Sequence, residues 1–250
     1  MRGELATFGL ALQFLTRLPV PLGASYSPQR SAAAVRYYPL VGVLIGGLCA
    51  VVYWAADWVL PSLPSVMLAV VAGLLVTGAL HEDGLADTFD GIGGARTRDQ
   101  ALAIMKDSRL GTYGVLALVL VLALKISALA QLDVRTVCIA LVTAHGLSRL
   151  TSVLVIATSR YAGSTPGPAA QRVSAPSLLV ACGTGIAIIA GLVGSLPFAV
   201  VLAALLGLAI GHGCVVALVQ RTLGGHTGDT LGAGQQASET GVYLGLVAWA

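Results

Sequence analysis

Long apolar runs separated by polar stretches dominate this 250-residue chain. A helix needs about 20 predominantly apolar residues to cross the roughly 30 Å of hydrocarbon in a bilayer. Six runs approach that length, at 38–60, 64–80, 112–130, 136–157, 178–196 and 198–219. The pattern therefore predicts an all-α fold, a polytopic membrane helix bundle that forms a single integral membrane domain over residues 1–250.

Two shorter apolar segments lie near the two ends of the chain and affect the expected number of spans. The segment 5–15 follows Arg2, is shorter than a span and lacks an Ala-x-Ala cleavage site. We therefore expect an uncleaved interfacial helix there. The segment 241–250 crosses a bilayer only if a helix continues into it from Thr240, or if the chain enters the membrane part way. The expected number of spans is thus six or seven.

Composition supports a membrane protein. Hydrophobic residues make up 56% of the chain and charged residues 10%, whereas a soluble domain carries about 25% charge. The net charge of +3 is too small to indicate a nucleic-acid partner. The lipid bilayer is therefore the expected surrounding of this chain.

Basic residues indicate the orientation, because cytoplasmic loops carry an excess of Lys and Arg. Most of them flank one alternate set of connections: Arg2, Arg17, Arg30, Arg36, Arg96, Arg98, Lys106, Arg109, Arg160, Arg172 and Arg221. The opposite connections, 61–65, 131–135 and 195–197, hold only Arg135. The long loops are expected to be cytoplasmic.

Two basic residues, Lys125 and Arg149, lie inside apolar runs. A charge within a span is costly and usually faces the bundle interior or a polar cavity. The sequence leaves two interpretations open for both. They form structural contacts, by snorkelling or by pairing with a carboxylate, or they bind substrate.

The densest polar segment, Thr77–Gly91, directly follows the second apolar run. It carries Glu82, and its three aspartates, Asp83, Asp87 and Asp90, stand at i, i+4 and i+7, so on a helix they share one face. Like charges in that arrangement repel, and no Lys or Arg lies among them, so a divalent cation, Mg²⁺ or Mn²⁺, is the expected ligand. The alternative is a solvated acidic helix end.

A second polar segment, 106–114, places Lys106 and Arg109 just before the third apolar run. Phosphate oxygens are natural partners for these two cations, Arg through its planar fork and Lys as a point charge. The alternative is that they only anchor the following span at the cytoplasmic surface. Asp107 is open to either of two roles, a further metal ligand or a helix cap.

A third polar segment, 224–239, is rich in glycine and threonine. Glycine-rich turns with exposed N–H groups and Thr227 suit anionic oxygens, and Asp229 is placed to complete a metal site begun by the first segment. His81 and His226 adjoin the acidic segments and are expected to orient a ligand or a substrate hydroxyl. The alternative for the third segment is a flexible loop.

Five motifs in this order resemble one family, the adenosylcobinamide-GDP ribazoletransferases, also called cobalamin 5'-phosphate synthases. The resemblance extends from about residue 7 to 241. The motifs are Phe14-Leu15-Thr16-Arg17-Leu18-Pro19, Tyr38-Pro39-Leu40-Val41-Gly42, the run 82–94, the run 106–114 and Gly225-His226-Thr227-Gly228-Asp229.

The resemblance implies an enzyme of the bacterial inner membrane with a cytoplasmic active face. Such an enzyme joins adenosylcobinamide-GDP to α-ribazole or its 5'-phosphate, releases GMP and uses Mg²⁺. A homo-oligomer, or association with neighbouring enzymes of the pathway, stays open. The implied metal and catalytic residues are Asp83, Asp87, Asp90 and Asp229, with Glu82 as a further metal ligand, and Lys106 and Arg109 hold phosphate.

Two other functions compete with this interpretation. A CDP-alcohol phosphotransferase also uses clustered aspartates and Mg²⁺, but its motif begins Asp-Gly-x-x-Ala-Arg, whereas here Asp87 follows Asp83-Gly84-Leu85-Ala86. An ion-coupled transporter would explain Lys125 and Arg149. It explains carboxylates at a membrane edge less well, because transport sites lie near the bilayer midplane.

Overall fold

The regular structure is helical throughout the part of the chain that the computed structural model describes, residues 2–21, 27–163 and 168–249. An isolated bridge between Tyr161 and His226 is its one β-type pairing within those residues. The α-helices are α1 (Arg2–Leu15), α2 (Pro28–Ala34), α3 (Tyr38–Asp57), α4 (Ser62–Thr77), α5 (Leu80–Gly94), α6 (Arg98–Ile104), α7 (Thr112–Leu129), α8 (Val134–Thr158), α9 (Ala175–Val193), α10 (Phe198–Leu223) and α11 (Gly228–Val247).

The predicted spans are confirmed as helices. Helices α3, α7, α8, α9 and α10 are long and apolar enough to cross a membrane, and the bent pair α4 and α5 gives up to six spans among the described residues. The chain is therefore an all-α, multi-pass membrane protein. The predicted N-terminal helix is present as α1, which is too short to span.

A sharp break separates α4 from α5. Gly78 and Ala79 both adopt left-handed backbone conformations, with φ of 65° and 56°, a region that non-glycine residues rarely occupy. The Arg17 backbone N–H donates to the Val76 carbonyl oxygen at 2.7 Å, so the segment after α1 packs against this break. The two helices meet at 88°. Helix α5 therefore leaves the direction of the span and carries its carboxylates across the end of the bundle.

The third polar segment is helical, so the flexible-loop alternative was wrong. Thr227 and Thr230 form a reciprocal capping box that starts α11, and the helix runs without interruption through Thr240 to Val247. The C-terminal apolar segment is thus the last part of a 20-residue helix.

Helix α11 packs antiparallel to α10 through small residues. A Cβ atom at Gly207 would collide with the Gly241 carbonyl oxygen, and one at Gly211 would collide with that of Ala237. Small residues let membrane helices approach this closely. Because α10 is a candidate span, α11 lies at the same depth, although its polar residues keep it below the hydropathy of a span.

The exposed tryptophans lie at the bundle end away from α5. Trp54 and Trp58 belong to the C-terminal end of α3, and Trp249 follows α11. Tryptophan is enriched where a membrane meets water. These side chains therefore indicate the membrane interface on the side opposite to α5.

Candidate active site

The candidate site forms where α5 crosses α11 at close range. A Cβ atom at Gly84 would lie 2.7 Å from the Asp229 carbonyl oxygen, and one at Gly232 would lie 3.0 Å from the His81 carbonyl oxygen. The Gly84 contact leaves no space for a side chain, and the Gly232 contact is tighter than ordinary van der Waals packing, so glycine allows the two helices to approach this closely. The crossing places Asp83 of the first polar segment beside Asp229 of the third.

The carboxylates at this crossing raise one another's proton affinity. Burial, followed by the negative charges of Asp83, Asp229 and Asp90, raises the pKa of Asp87 to about 6. The pKa of Asp229 is also raised, by burial and then by Asp83. The charged groups that raise these two values are carboxylates, so the crossing is a local concentration of negative charge.

These residues suit a cation that is shared with a substrate. Among the described residues, no three His, Cys, Asp or Glu side chains are arranged to hold one metal ion by themselves. Mg²⁺ usually takes one or two carboxylates, substrate phosphates and several waters. The neighbouring Asp83 and Asp229 fit that mode of binding, in which substrate phosphates would complete the coordination.

Asp90, which was expected to bind metal, holds the start of α7. Its Oδ2 accepts the Gly111 N–H at 2.7 Å and its Oδ1 accepts the Gly114 N–H at 2.8 Å. The carboxylate thereby satisfies two N–H groups that a helix start leaves unpaired. Both of its oxygens are thus engaged by the start of α7.

Glu82 also departs from the predicted metal set, because its side chain points into the bundle. Its Oε1 accepts a hydrogen bond from Gln236 at 2.8 Å, and its Oε2 is buried with no hydrogen-bond partner among the described residues. Neighbouring residues on a helix point about 100° apart. Glu82 therefore faces the interior while Asp83 faces the candidate site.

Glu82 joins a buried polar network that the sequence did not reveal. Lys125 Nζ lies 2.6 Å from Glu239 Oε1 and donates to Gln236 Oε1 at 2.9 Å. Gln235 links the network to Ser148 at 3.0 Å. The sequence signal for this network was Lys125, because a cation in an apolar run requires a partner. Of the two roles predicted for Lys125, the structure shows an ion pair with a carboxylate.

The two cations predicted to bind phosphate lie on an exposed loop between α6 and α7. The guanidinium of Arg109 is 87% exposed and pairs with Asp107. Hydrogen bonds from Arg109 lower the pKa of Asp107 to about 2. The guanidinium of Arg109 thus donates its hydrogen bonds to the Asp107 carboxylate. Lys106 lies exposed in the same loop.

His226 and Thr227 hold the backbone before α11. The His226 N–H donates to the Arg160 carbonyl oxygen, its own carbonyl oxygen accepts the Ala162 N–H, both at 2.8 Å, and its Nε2 lies 2.9 Å from the Ala169 carbonyl oxygen. Thr227 is the N-cap of α11. These contacts hold the backbone that carries Asp229, and the expected substrate contacts of the two residues stay a prediction.

A cavity of about 140 Å³ opens beside the crossing, among the ends of α1 and α3 and helices α5, α8 and α11. Its polar lining includes His81, Asp83, Arg149 and Asp229, and Phe14 lies on its apolar wall. Burial and the charge of Arg149 lower the pKa of His81, so its imidazole is neutral near pH 7. The cavity thus combines carboxylates, a cation and a neutral proton acceptor.

The crossing gives a direct prediction for Gly84→Ala. The added methyl group forces α5 away from Asp229, whose backbone cannot move like a flexible side chain. Because a displacement of about 1 Å can lower a rate by roughly 10²-fold, we expect turnover to fall by about that factor in folded protein. Steady-state kinetics on the purified variant measure this.

Gly183→Ala is the matched control, since a Cβ atom at Gly183 on α9 meets nothing within 4 Å. That variant should keep its activity and gain about 0.5–1 kcal/mol of helix stability. Full activity in Gly84→Ala would show that the spacing of α5 and α11 does not matter.

Comparisons with known proteins agree on one family. The cobalamin-5-phosphate synthase family model matches residues 7–247. The chain is 46% identical over 254 residues to the adenosylcobinamide-GDP ribazoletransferase of Leptothrix cholodnii, covering 98% of this chain and 96% of the relative. It is 41% identical over 256 residues to the protein of the same name from Shewanella woodyi, covering 99% and 97%. No solved structure matches the chain.

Proposed function

Because this chain belongs to the cobalamin-5-phosphate synthase family, we propose that it joins adenosylcobinamide-GDP to α-ribazole, or to α-ribazole 5'-phosphate, and releases GMP. The observation that supports this reaction is the α5–α11 crossing, where Asp83 and Asp229 line one cavity with Arg149 and His81. Carboxylates, a cation and a proton acceptor are the groups that phosphoryl transfer requires.

The transfer exchanges one oxygen for another on phosphorus. The ribazole hydroxyl oxygen forms a bond to the phosphorus that carries cobinamide, the bond from that phosphorus to the GMP oxygen breaks, and the hydroxyl proton passes to a base. Neutral His81 lines the cavity and suits this proton, since its imidazole has a free lone pair. GMP leaves with the electron pair of the broken bond.

Mg²⁺ is the proposed cofactor. When bound, it would neutralise charge on the phosphoryl oxygens and the leaving GMP. Asp83 and Asp229 would hold it at the cavity, and Asp87 supplies a third carboxylate nearby. Their mutual repulsion supports this assignment, because a divalent cation removes it.

The proposed location is the bacterial inner membrane, with the site facing the cytoplasm. The basic residues concentrate on the connections of the α5 side, as cytoplasmic loops do. The exposed tryptophans indicate the opposite interface. Nucleotide-activated substrate would then reach the cavity from the cytoplasm.

The decisive assay supplies the purified protein with adenosylcobinamide-GDP and α-ribazole and measures GMP. We expect GMP release with Mg²⁺ and its loss with excess EDTA, since the carboxylates alone cannot neutralise the phosphates. Absence of GMP release with both Mg²⁺ and Mn²⁺ would contradict the proposal. A CDP-alcohol with a lipid acceptor serves as the control, and CMP release there would indicate the competing phosphotransferase.

Inverted membrane vesicles test the orientation in the same assay. Externally added adenosylcobinamide-GDP should be consumed by inside-out vesicles and not by right-side-out vesicles. The reverse result would place the site on the other face.

A further inference from the structure

Arg149 is a buried cation that contacts no acidic side chain among the described residues. It lies on α8 and is 2% exposed, and it forms no ion pair with any residue in the described part of the chain. Its Nη1 donates to the His145 carbonyl oxygen at 2.9 Å, while its Nε is buried without a partner. A guanidinium stays protonated in proteins, and burying a charge without compensation is costly.

The second buried cation of the bundle shows the usual solution. Lys125 lies 2.6 Å from Glu239, and the same carboxylate lies 3.5 Å from His145. Glu239 forms its ion pair with Lys125, and it acts on Arg149 only as a more distant charge. The contrast between the two cations suggests that the partner of Arg149 is a ligand.

The position of Arg149 indicates which ligand. Its side chain borders the cavity of about 140 Å³ that Asp83 and Asp229 also line. A water molecule occupies about 30 Å³, so the cavity has space for a phosphoryl group. Planar guanidinium groups bind phosphate oxygens through two parallel hydrogen bonds. A phosphate held by Arg149 would lie in the same cavity as the carboxylates.

We propose that Arg149 binds a phosphoryl group of a substrate in this cavity. The identity of the substrate rests on the proposed function. Two sources share this chemistry: the diphosphate of adenosylcobinamide-GDP and the 5'-phosphate of α-ribazole 5'-phosphate. The side chains of Arg109, His226 and Thr227, for which phosphate contacts were also predicted, already contact other parts of the protein.

The test compares wild type with Arg149→Met, which keeps the aliphatic stem and removes the charge. Without ligand, we expect an unchanged or higher unfolding temperature, because no ion pair is lost. The stabilisation that guanosine diphosphate with Mg²⁺, or α-ribazole 5'-phosphate, gives wild type should disappear. The KM of the phosphoryl substrate should rise about 10- to 100-fold, and Arg149→Lys should recover part of it.

The KM measurements distinguish the two possible sources of the phosphoryl group. A higher KM for adenosylcobinamide-GDP with either acceptor assigns Arg149 to the diphosphate. A higher KM only for α-ribazole 5'-phosphate, with α-ribazole unchanged, assigns it to the acceptor phosphate. Arg135→Met is the control, since Arg135 lies exposed at the other end of the same helix, and it should change neither KM.

A structural role for Arg149 gives the opposite result. Glu82 Oε2 also lacks a partner, and both residues border a space of about 30 Å³, the share of one water. If a bridging water pairs them, Arg149→Met lowers the unfolding temperature without ligand and keeps ligand stabilisation and KM. That result, or no stabilisation of wild type by either phosphate compound, overturns the proposal.

Failure of the proposed function is separately visible. If wild type releases no GMP, the loss of guanosine diphosphate stabilisation in Arg149→Met still measures the phosphate site. If Arg149→Met does not fold, Arg149→Lys decides, because lysine lacks the planar fork. It should fold and raise the same KM, and an unchanged KM would contradict the proposal.

Discussion

Replacing Asp229 by asparagine is expected to lower GMP release by about 10²–10³-fold, the range found when one electrostatic contact to a transition state is removed. Asp229 lines the cavity, and burial and then the neighbouring Asp83 raise its pKa. The amide has no charge with which to hold Mg²⁺. Steady-state GMP release at saturating substrates and Mg²⁺ measures the loss.

The stability of Asp229→Asn should change little. The substitution removes a carboxylate from the first turn of α11, which costs about 0.3–1 kcal/mol, but it also relieves the repulsion from Asp83. Asp99→Asn is the matched control, because Asp99 lies in the first turn of α6 and is exposed. It shares the helix-dipole loss and should keep full activity. If Asp229→Asn is inactive because it has unfolded, its loss of activity would not support a role of Asp229 in the reaction.

Replacing Lys125 by methionine is expected to give the largest loss of stability. The side chains of Lys125 and Glu239 are 6% and 2% exposed and lie 2.6 Å apart. Removing the cation leaves the Glu239 carboxylate buried and uncompensated, and breaking such a pair costs roughly 3–5 kcal/mol. Thermal unfolding of the protein in detergent measures the change.

A double-mutant cycle separates the ion pair from simple packing. Lys125→Met with Glu239→Gln should recover much of the lost stability, since the amide needs no counter-charge, its oxygen can still accept from Gln235, and its NH2 group can donate to the Tyr243 hydroxyl oxygen. Arg109→Met is the exposed control, because its ion-paired guanidinium is 87% exposed, and its unfolding temperature should hardly change. Additive effects of the two buried substitutions would contradict a coupled pair.

Much of the architecture could be predicted from local pattern. Apolar runs near the length of a bilayer became α3 and α7–α10, because hydropathy and length alone determine which segments can cross lipid. Asp83, Asp87 and Asp90 do lie on one helix, the condition under which their spacing puts them on one face. Those predictions need no knowledge of which helices touch.

Helix α11 shows where local pattern fails. Its glycines and threonines are typical of a loop in the sequence, yet Gly232 and Gly241 serve the close approach of α5 and α10. Its polar residues Gln235, Gln236 and Glu239 lower the mean hydropathy of the helix. They are nevertheless buried, as members of a polar network. A sequence alone does not show which polar residues have buried partners and which are exposed to water. The sequence therefore did not predict this helix.

The sequence by itself determined the membrane class, the family and the carboxylates that carry the proposed chemistry, since these depend on residue type and local spacing. The tertiary structure decided how the charged residues divide: Asp83 and Asp229 share a cavity, Asp90 caps α7, and Glu239 pairs with Lys125. The physical reason is that charge interactions depend on distance and burial. Residues more than 100 positions apart, such as Lys125 and Glu239, meet only through helix packing.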